Sequence, residues 1–554
     1  MSSRVQLPKP ALTSECPRSS RNLQLQLAAL VVLLAVGVGL RLANLGNVSS
    51  RTPDERVYTY QANVLLHQGT AGLRELVTEY QRDPVVRQYP TPTRAGYLWL
   101  LTTVMRITGS TDVSVGAGIS CVASIGSLLV LFLIGLRFFP SWAMLFAGLF
   151  FAISPAELWL ARRSLQDALL EFLGLALIWA ACEINRNCRH YVWYLLFVIL
   201  GSLGVLVKES WPLLYVLCTV WILWVLLVTR KEWRPATALI AGQLAGLAIS
   251  VWWLANSVGS LSQLVQIVTH IPQANAINVY AIEYQTGPGS LLLQAFWILS
   301  PLAAILCLLG LAIALFPRRL MVYLQVPFEG IKREIVTWIA LVALCYFAVP
   351  FILPHWLNLR YVSVLFGPFY LLAGLGFWYG VCLCCEWFET PGRKVVAAIA
   401  IVIVAIGATI DYRTFERVVV RNGVRDLSIK MILDSAKPTQ PSAVTQSGAQ
   451  ESLAAISAAE KLAQNESTPE HFLELSLLYH QAGRYQDCID AAKKALQLKP
   501  DYAEAYNNIA AAYEAMSQWD LAIENAQQAV RLKPDFQLAR NNLAYSQAQK
   551  QRAR

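Results

Sequence analysis

Eleven apolar runs of 17 to 26 residues, near 24–43, 113–136, 141–159, 168–184, 191–207, 211–229, 235–256, 291–316, 335–353, 362–385 and 394–410, fill the first 410 residues. Each is long enough to cross a hydrocarbon core of about 30 Å as a helix, and a backbone in that core must satisfy its own hydrogen bonds. The expected fold is therefore all-α, a polytopic membrane helix bundle of about eleven spans. Composition agrees: 14% of the 554 residues are charged and mean hydropathy is +0.45, where soluble proteins carry about 25% charged residues. The run from residue 24 is too long for a signal-peptide core and lacks a small-residue cleavage site, so it counts as the first span.

The net charge of +10 reports orientation and gives no argument for a nucleic-acid partner. The segment Ala95–Ile107 is apolar but short, with Arg94 and Arg106 at its ends, and is expected to lie on the membrane. With that assignment the basic residues Arg4, Lys9, Arg18, Arg21, Arg137, Arg186, Arg189, Arg230, Lys231, Arg234, Arg318, Arg319, Lys332, Arg333, Arg393 and Lys394 fall on one side, while the loop 257–290 has no Lys or Arg. The positive-inside rule makes that basic side cytoplasmic. The expected protein is integral to a cell inner membrane, with its N-terminus in the cytoplasm and its C-terminus outside. The expected divisions are a cytoplasmic tail 1–23, a membrane domain 24–410 with a first extracytoplasmic loop 44–112, a linker 411–450 and a C-terminal domain 451–554.

This topology carries four charged places to the outer face: Asp54/Glu55, Arg162-Arg163-Ser164-Leu165-Gln166-Asp167, Lys208-Glu209, and His355 with Arg360-Tyr361. Taken singly, each has a plain reading. Asp54/Glu55 reads as a solvated helix cap, and Lys208 as a snorkelling anchor. Ionisable residues at span ends are costly unless they face water or one another, so four such places on one face point to a shared pocket. The eleven Cys are scattered, mostly within apolar runs, with no zinc spacing, and read as small apolar fillers.

Pro53-Asp54-Glu55-Arg56-Val57-Tyr58 resembles the acidic first-loop motif of membrane glycosyltransferases with the C-type fold, in particular the protein O-mannosyltransferase and lipid A aminoarabinose transferase group. Ala95-Gly96-Tyr97-Leu98-Trp99 looks like that family's interfacial helix, Arg162 to Asp167 like its second acidic site, Val207-Lys208-Glu209 like its lysine-bearing outer turn, and Arg360-Tyr361 like its late Arg-Tyr. The likeness runs over about residues 24–410. One departure stands out: the aminoarabinose transferases have Lys-Pro before Ala-Gly-Tyr, where this chain has Thr91-Pro92-Thr93-Arg94.

The resemblance implies a mannosyltransferase-like enzyme that moves a sugar from a polyprenyl- or dolichyl-phosphate carrier to a hydroxyl of a protein, lipid or glycan on the outer face. A hydroxyl is a poor nucleophile, and a carboxylate within hydrogen-bond reach can take its proton. Asp54 is the expected base, with Glu55 orienting it and Asp167 completing the catalytic set. The leaving lipid phosphate calls for cationic donors, for which Arg56, Arg94, Arg163, Lys208 and Arg360 are the candidates. A divalent cation bridging Asp54, Asp167 and the phosphate is the candidate cofactor. Tyr58, Tyr97 and Trp99 read either as groove-lining residues or as interfacial belt anchors. The loop through His270, Glu283 and Gly287-Pro288-Gly289 reads as a lid or acceptor rim.

Beyond residue 410, Arg413, Arg417, Arg421 and Arg425 recur every four residues, and 436–450 is rich in Ser, Thr, Gln and Pro. Leu498-Lys499-Pro500-Asp501 then returns as Leu532-Lys533-Pro534-Asp535, a period of 34 residues, the length of a tetratricopeptide unit. Units 469–502 and 503–536 place Phe472, Leu475, Tyr479, Gly483, Tyr485 and Ala495, and Tyr506, Ile509, Tyr513, Trp519, Ala522 and Ala529, at packing positions, with Cys488 in a small-residue slot. Helices from Glu451 and Phe536 are expected to cap the pair. Such a module reads as a groove for an acceptor or partner protein, or as a spacer. The rival readings for the whole chain are a transporter, which would need ionisable residues at mid-span, and an inactive scaffold working through its repeats.

Overall fold

The computed structural model describes residues 20–43, 52–82, 86–277, 284–316, 333–352, 357–386, 388, 390–421, 427–436, 456, 459–461, 463, 466–481, 484–516, 518–534 and 536–552. Of the residues singled out above, Arg4, Lys9, Arg18, Glu283, Arg318, Arg319, Lys332, His355, Arg425, Glu451, Gly483 and Asp535 lie outside the described residues. The chain forms two compact units, 1–437 and 438–554.

Among its described residues the first unit is all helix with connecting turns, apart from one isolated bridge between Asn358 and Ser428. It begins with α1 (Ser20–Leu42), the amphipathic α2 (Pro53–Arg82) and α3 (Ala95–Thr108). The bundle continues through α4 (Ser114–Phe138), α5 (Ser141–Ile153), α6 (Pro155–Leu160), α7 (Asp167–Arg186), α8 (Tyr191–Val207), α9 (Trp211–Trp224), α10 (Trp233–Val258) and α11 (Leu261–Ile277). It closes with α12 (Ser290–Leu299), α13 (Pro301–Leu315), α14 (Arg333–Ile352), α15 (Phe366–Glu386), α16 (Thr390–Thr414) and α17 (Ile429–Ala436).

Among the described residues, seven helical stretches are long and apolar enough to cross a membrane: 24–42, 114–138, 211–229, 233–258, 333–352, 359–385 and 391–420. That is fewer than the eleven expected, and two differences have a sequence cause. The runs 141–159 and 291–316 are each broken at a Ser-Pro step, into α5/α6 at Ser154-Pro155 and α12/α13 at Ser300-Pro301. A residue before proline is pushed out of the helical region, proline suits the first turn of the next helix, and Ser154 Oγ caps that turn by accepting from the Glu157 amide at 3.3 Å. Hydropathy is almost blind to such a break. The stretch from 411 also differs from the expected linker: Asp411, Phe415 and Val418 are buried, and α17 buries Ile429 and Ile432 against the bundle, so the polypeptide through 436 belongs to the first unit.

Helices α13, α15 and α5 pack closely because glycines let backbones touch. A Cβ at Gly376 would sit 2.0 Å from the Leu306 carbonyl oxygen, and one at Gly374 would sit 2.2 Å from that of Ala143. Small residues at such crossings replace the hydrophobic drive that lipid does not supply. Next to this contact lies a fully buried charge cluster. Arg41, in the last turn of α1, donates to Ser124 Oγ at 2.8 Å and to the Ala152 carbonyl at 3.0 Å, and lies 3.9 Å from Glu157. Ser124 Oγ in turn donates to Glu157 at 3.2 Å. Glu171 completes the group through a carboxyl–carboxyl contact with Glu157. Neither Glu171 oxygen finds a donor among the described residues, so two buried carboxyls crowd one guanidinium.

The second unit contains α18 (Pro469–Gln481), α19 (Tyr485–Leu498), α20 (Ala503–Ala515), α21 (Trp519–Leu532) and α22 (Gln537–Arg552), each packed on its predecessor. Leu475, Tyr479, Ala495, Ile509, Ala522 and Ala529 are buried, as is Cys488. The buried alanines let neighbouring helices interlock around the larger side chains, and α22 covers the end of the second helix pair.

Removing the guanidinium in Arg41→Leu leaves a carboxylate buried without a counter-charge and is expected to cost about 3–5 kcal/mol. Glu171→Gln, which removes one of the two carboxyls crowded beside that guanidinium and offers a donor toward Glu157, is expected to leave the thermal unfolding midpoint of the purified protein within a few degrees of wild type. Equal loss in both variants would contradict that arrangement.

Candidate functional site

Thr52-Pro53-Asp54-Glu55 starts α2 as a capping box. Glu55 Oε2 accepts from the Thr52 amide at 2.7 Å, and Thr52 Oγ1 accepts from the Glu55 amide at 3.3 Å; the reciprocal pair satisfies two amides that a helix start leaves open. Glu55 goes further than a cap. It is fully buried, accepts from the Ser164 amide at 2.8 Å and pairs with Arg163 at 3.2 Å. It therefore ties the start of α2 to the turn before α7, and its oxygens are taken up in doing so. Arg163 is buried as well, stacked 4.6 Å from the Trp159 ring centroid.

Asp54 precedes Glu55 by one residue, about 100° around the helix, and has a different task. Its side chain keeps 32% of its accessible surface and meets Arg360 at 3.1 Å. The same guanidinium donates through Nε to Asp167 Oδ2 at 2.9 Å, and Lys208 Nζ donates to Asp167 Oδ1 at 2.6 Å. Asp167 is fully buried, Lys208 nearly so, and the Lys208 ammonium lies 5.0 Å from the centroid of the Tyr361 ring. Asp54 and Asp167 thus meet across one guanidinium.

Each member of this network has a local reason for its place. Asp167 opens α7, where a carboxylate favours the helix N-terminus. Lys208 follows the end of α8 in extended conformation. Arg360 sits in a tight helical turn, Leu359–Leu365, capped by Asn358 Oδ1, which accepts from the Arg360 amide at 3.0 Å. Backbone bonds from Leu359 to Leu427, from Ile429 to Leu357 and from Leu357 to Gln285 pin that turn between two other segments.

A second pair flanks the first. Arg94, just before α3, donates to both oxygens of Glu209 at 3.0 and 3.1 Å and also bonds the Tyr58 hydroxyl. Burial pushes the Tyr58 phenol well above its ordinary range, with the Arg94 guanidinium opposing. Tyr58 meets Tyr97 edge-on at 5.3 Å. Both tyrosines are buried, so neither is a simple belt anchor. Trp99 is only partly buried, packed against the core.

Of the residues expected at a shared pocket, Asp54, Asp167, Lys208 and Arg360 form one ion-paired group, Glu55 and Arg163 form a buried pair beneath it, and Arg94 joins Glu209. Arg56 stands apart, exposed on the solvent side of α2 and in no ion pair among the described residues. Adjacency in sequence put it beside the acids; helical rotation turns it away. The sequence reading passed over Glu209 as a partner, since nothing in it announces a pairing 115 residues away. It also passed over Arg41, Glu157 and Glu171, although ionisable residues within apolar runs are themselves a signal.

A divalent cation does not fit between Asp54 and Asp167 as these side chains stand. Arg360 occupies that position, and no group of three or more His, Cys, Asp or Glu side chains among the described residues could hold a metal ion. Such a cation needs several oxygen ligands gathered without a competing guanidinium.

The tetratricopeptide-repeat family matches residues 472–502 and 503–536. The tail is a tetratricopeptide-repeat unit. A search of curated protein sequences finds no match. Among solved structures, the chain is similar in fold to the archaeal oligosaccharyltransferase AglB from Archaeoglobus fulgidus in complex with an inhibitory peptide and a dolichol-phosphate, at 12% identity and TM-score 0.48 over 76% of this chain and 57% of that one. The same enzyme in complex with Zn and sulfate matches at 14% identity and TM-score 0.45, over 69% and 53% of the two chains. ArnT from Cupriavidus metallidurans bound to undecaprenyl phosphate matches at 14% identity and TM-score 0.41, over 81% of each. The chain spans little more than half the length of AglB.

The two neighbouring acids are expected to separate cleanly in stability. Glu55→Ala takes the carboxylate away from buried Arg163 and from the Ser164 amide and should cost about 3–5 kcal/mol. Asp54→Ala, which removes a half-exposed partner, should cost no more than about 1 kcal/mol. Thermal unfolding of the two purified variants checks the difference.

Proposed function

We propose that this protein is a membrane glycosyltransferase that moves a sugar from a polyprenyl- or dolichyl-phosphate carrier to an acceptor hydroxyl at the extracytoplasmic face. The observation that carries this reading is the half-exposed Asp54 carboxylate held 3.1 Å from Arg360, which shares the buried Asp167 with Lys208. One group able to take a proton thus stands beside two cations able to hold a phosphate. Asp54 accepts the acceptor's hydroxyl proton as its oxygen attacks the anomeric carbon. The bond from that carbon to the phosphate oxygen breaks, its electron pair stays with the lipid phosphate, and Arg360 and Lys208 stabilise the growing charge. The sugar in this reading is a hexose such as mannose. Arg94 contributes from the rim, and Glu55 and Arg163 hold the first turn of α2 in place.

The placement of basic residues supports the outward orientation. Asp167 and Arg186 lie at opposite ends of α7, about 28 Å apart at 1.5 Å per residue. Around Arg186 gather Arg137, which pairs with Glu183 at 2.9 Å, and Arg230, which bonds the Asn185 carbonyl. A cytoplasmic end rich in Arg puts the Asp54 end outside. The tetratricopeptide unit is then extracytoplasmic and recruits the acceptor or a partner protein on its concave face.

A transporter remains the rival class, and the buried charges of the bundle bear on it. Arg41 lies in the last turn of α1, Glu171 one turn into α7 and Asp411 near the end of α16. They sit toward helix ends, Asp411 against the Ser300-Pro301 break, whereas transported substrates bind near the midplane.

In vesicles holding the full-length protein and a pool of lipid-linked sugars, Asp54→Asn is expected to slow release of the lipid phosphate by about 10²–10⁴-fold while membrane insertion stays normal. Unimpaired release by that variant would remove Asp54 from the chemistry. A wild-type protein that consumes no lipid-linked sugar would end the transferase reading.

A further inference from the structure

Four carboxylates (Asp54, Glu55, Asp167, Glu209) and four cations (Arg94, Arg163, Lys208, Arg360) make up the site, and each is in an ion pair with another member. The set is electrically balanced before any substrate arrives. A lipid-phosphate sugar is a phosphodiester with one negative charge, and its leaving group, a phosphomonoester, carries up to two. An anion that takes the Arg360 Nη1 must displace a carboxylate from it.

Exposure ranks the carboxylates by how readily they can leave. Asp167 and Glu55 are fully buried, whereas the Asp54 side chain is 32% and the Glu209 side chain 24% exposed. Releasing a half-exposed carboxylate to water is cheap, since exposed pairs are worth little. Stripping Arg360 or Lys208 from the buried Asp167 would leave an uncompensated charge. Between the two exposed acids, Asp54 meets its cation through one oxygen, while Glu209 takes the Arg94 Nε with both oxygens.

We infer that the donor's phosphate enters by replacing Asp54 on Arg360, so that donor binding releases the base. Resting on the donor reading above, this makes Arg360 a positioning residue for Asp54 as well as a phosphate ligand. While paired, Asp54 has its Oδ2 taken up by the Arg360 Nη1. Once the phosphate has taken Nη1, Arg360 keeps its Nε bond to Asp167 and so does not leave the site. The freed Asp54 is then available to the incoming hydroxyl. A hydroxyl, or a water, therefore meets a competent base only when a donor is in place. The guanidinium fills the role that a metal bridging the two aspartates would fill.

The consequence is a sign that ordinary ligand residues do not give: removing the Asp54 charge should tighten phosphate binding. Farnesyl phosphate, a soluble C15 prenyl monophosphate, titrated calorimetrically into the detergent-purified full-length chain in buffer without and then with a chelator, reads this directly. Asp54→Asn and Asp54→Ala are each expected to bind roughly five-fold more tightly than wild type, and Arg360→Met at least ten-fold more weakly. Inorganic phosphate should compete only at higher concentration, which separates a lipid headgroup from free phosphate as the natural ligand.

Weaker or equal binding by both Asp54 variants overturns the inference, as does loss of wild-type binding on adding chelator, which would place a metal between acid and phosphate. Tightening by Glu209→Gln with none by the Asp54 variants moves the phosphate to Arg94 and overturns it too. No binding by any form of the protein removes the donor reading itself, an outcome distinct from the others.

Discussion

A guanidinium shared by two aspartates holds the functional end of this bundle together. Arg360 reaches Asp54 and Asp167, 306 and 193 residues away along the chain, and so draws the first loop helix, the start of α7 and the turn before α15 to one point. Lys208 adds the end of α8. None of these groups would rest at the end of a membrane bundle alone, because an unmatched charge taken out of water costs several kcal/mol. Matched, they fix four otherwise distant segments relative to one another, and the same matching leaves Asp54, the most exposed carboxylate of the set, facing outward.

The adjacent acids Asp54 and Glu55 show how one motif divides its work. Glu55 occupies the third helical position, where its side chain turns back onto the cap and down onto Arg163 and the Ser164 amide. Asp54, one residue earlier, looks toward Arg360. One acid builds the site, and the other keeps part of its surface open beside Arg360. The helix-cap reading of this stretch thus rests on Glu55, and the function proposed for it rests on Asp54.

The charge cluster of Arg41, Glu157 and Glu171 shows the same economy deeper in the bundle. Arg41 answers the end carbonyls of α5, which a broken helix leaves without partners, and the break itself follows from Ser154-Pro155. Ser154 and Tyr370 are hydrogen-bonded at 2.9 Å, and Ser300, at the other Ser-Pro step, bonds Asp411. The polar groups that accompany these breaks are thus absorbed within the protein, the only place irregular backbone at membrane depth is tolerated.

Much of this was legible in the order of residues. Apolar runs dictate a helical membrane bundle, since nothing else hides a backbone in lipid, and a 34-residue period dictates paired helices that stack. The charged places near Asp54, Asp167, Lys208 and Arg360 could be picked out because charge at a span end needs a reason. Which charge meets which could not. Arg56 lies two residues from Asp54 in sequence, yet helical rotation carries it to solvent, while Glu209 reaches Arg94 only because α3 and α8 pack side by side. Local chemistry sets the elements and their apolar faces, through propensities and transfer energies that act over a few residues. Pairing across hundreds of residues is settled only when helices close on one another and each buried charge takes the partner that packing brings within reach.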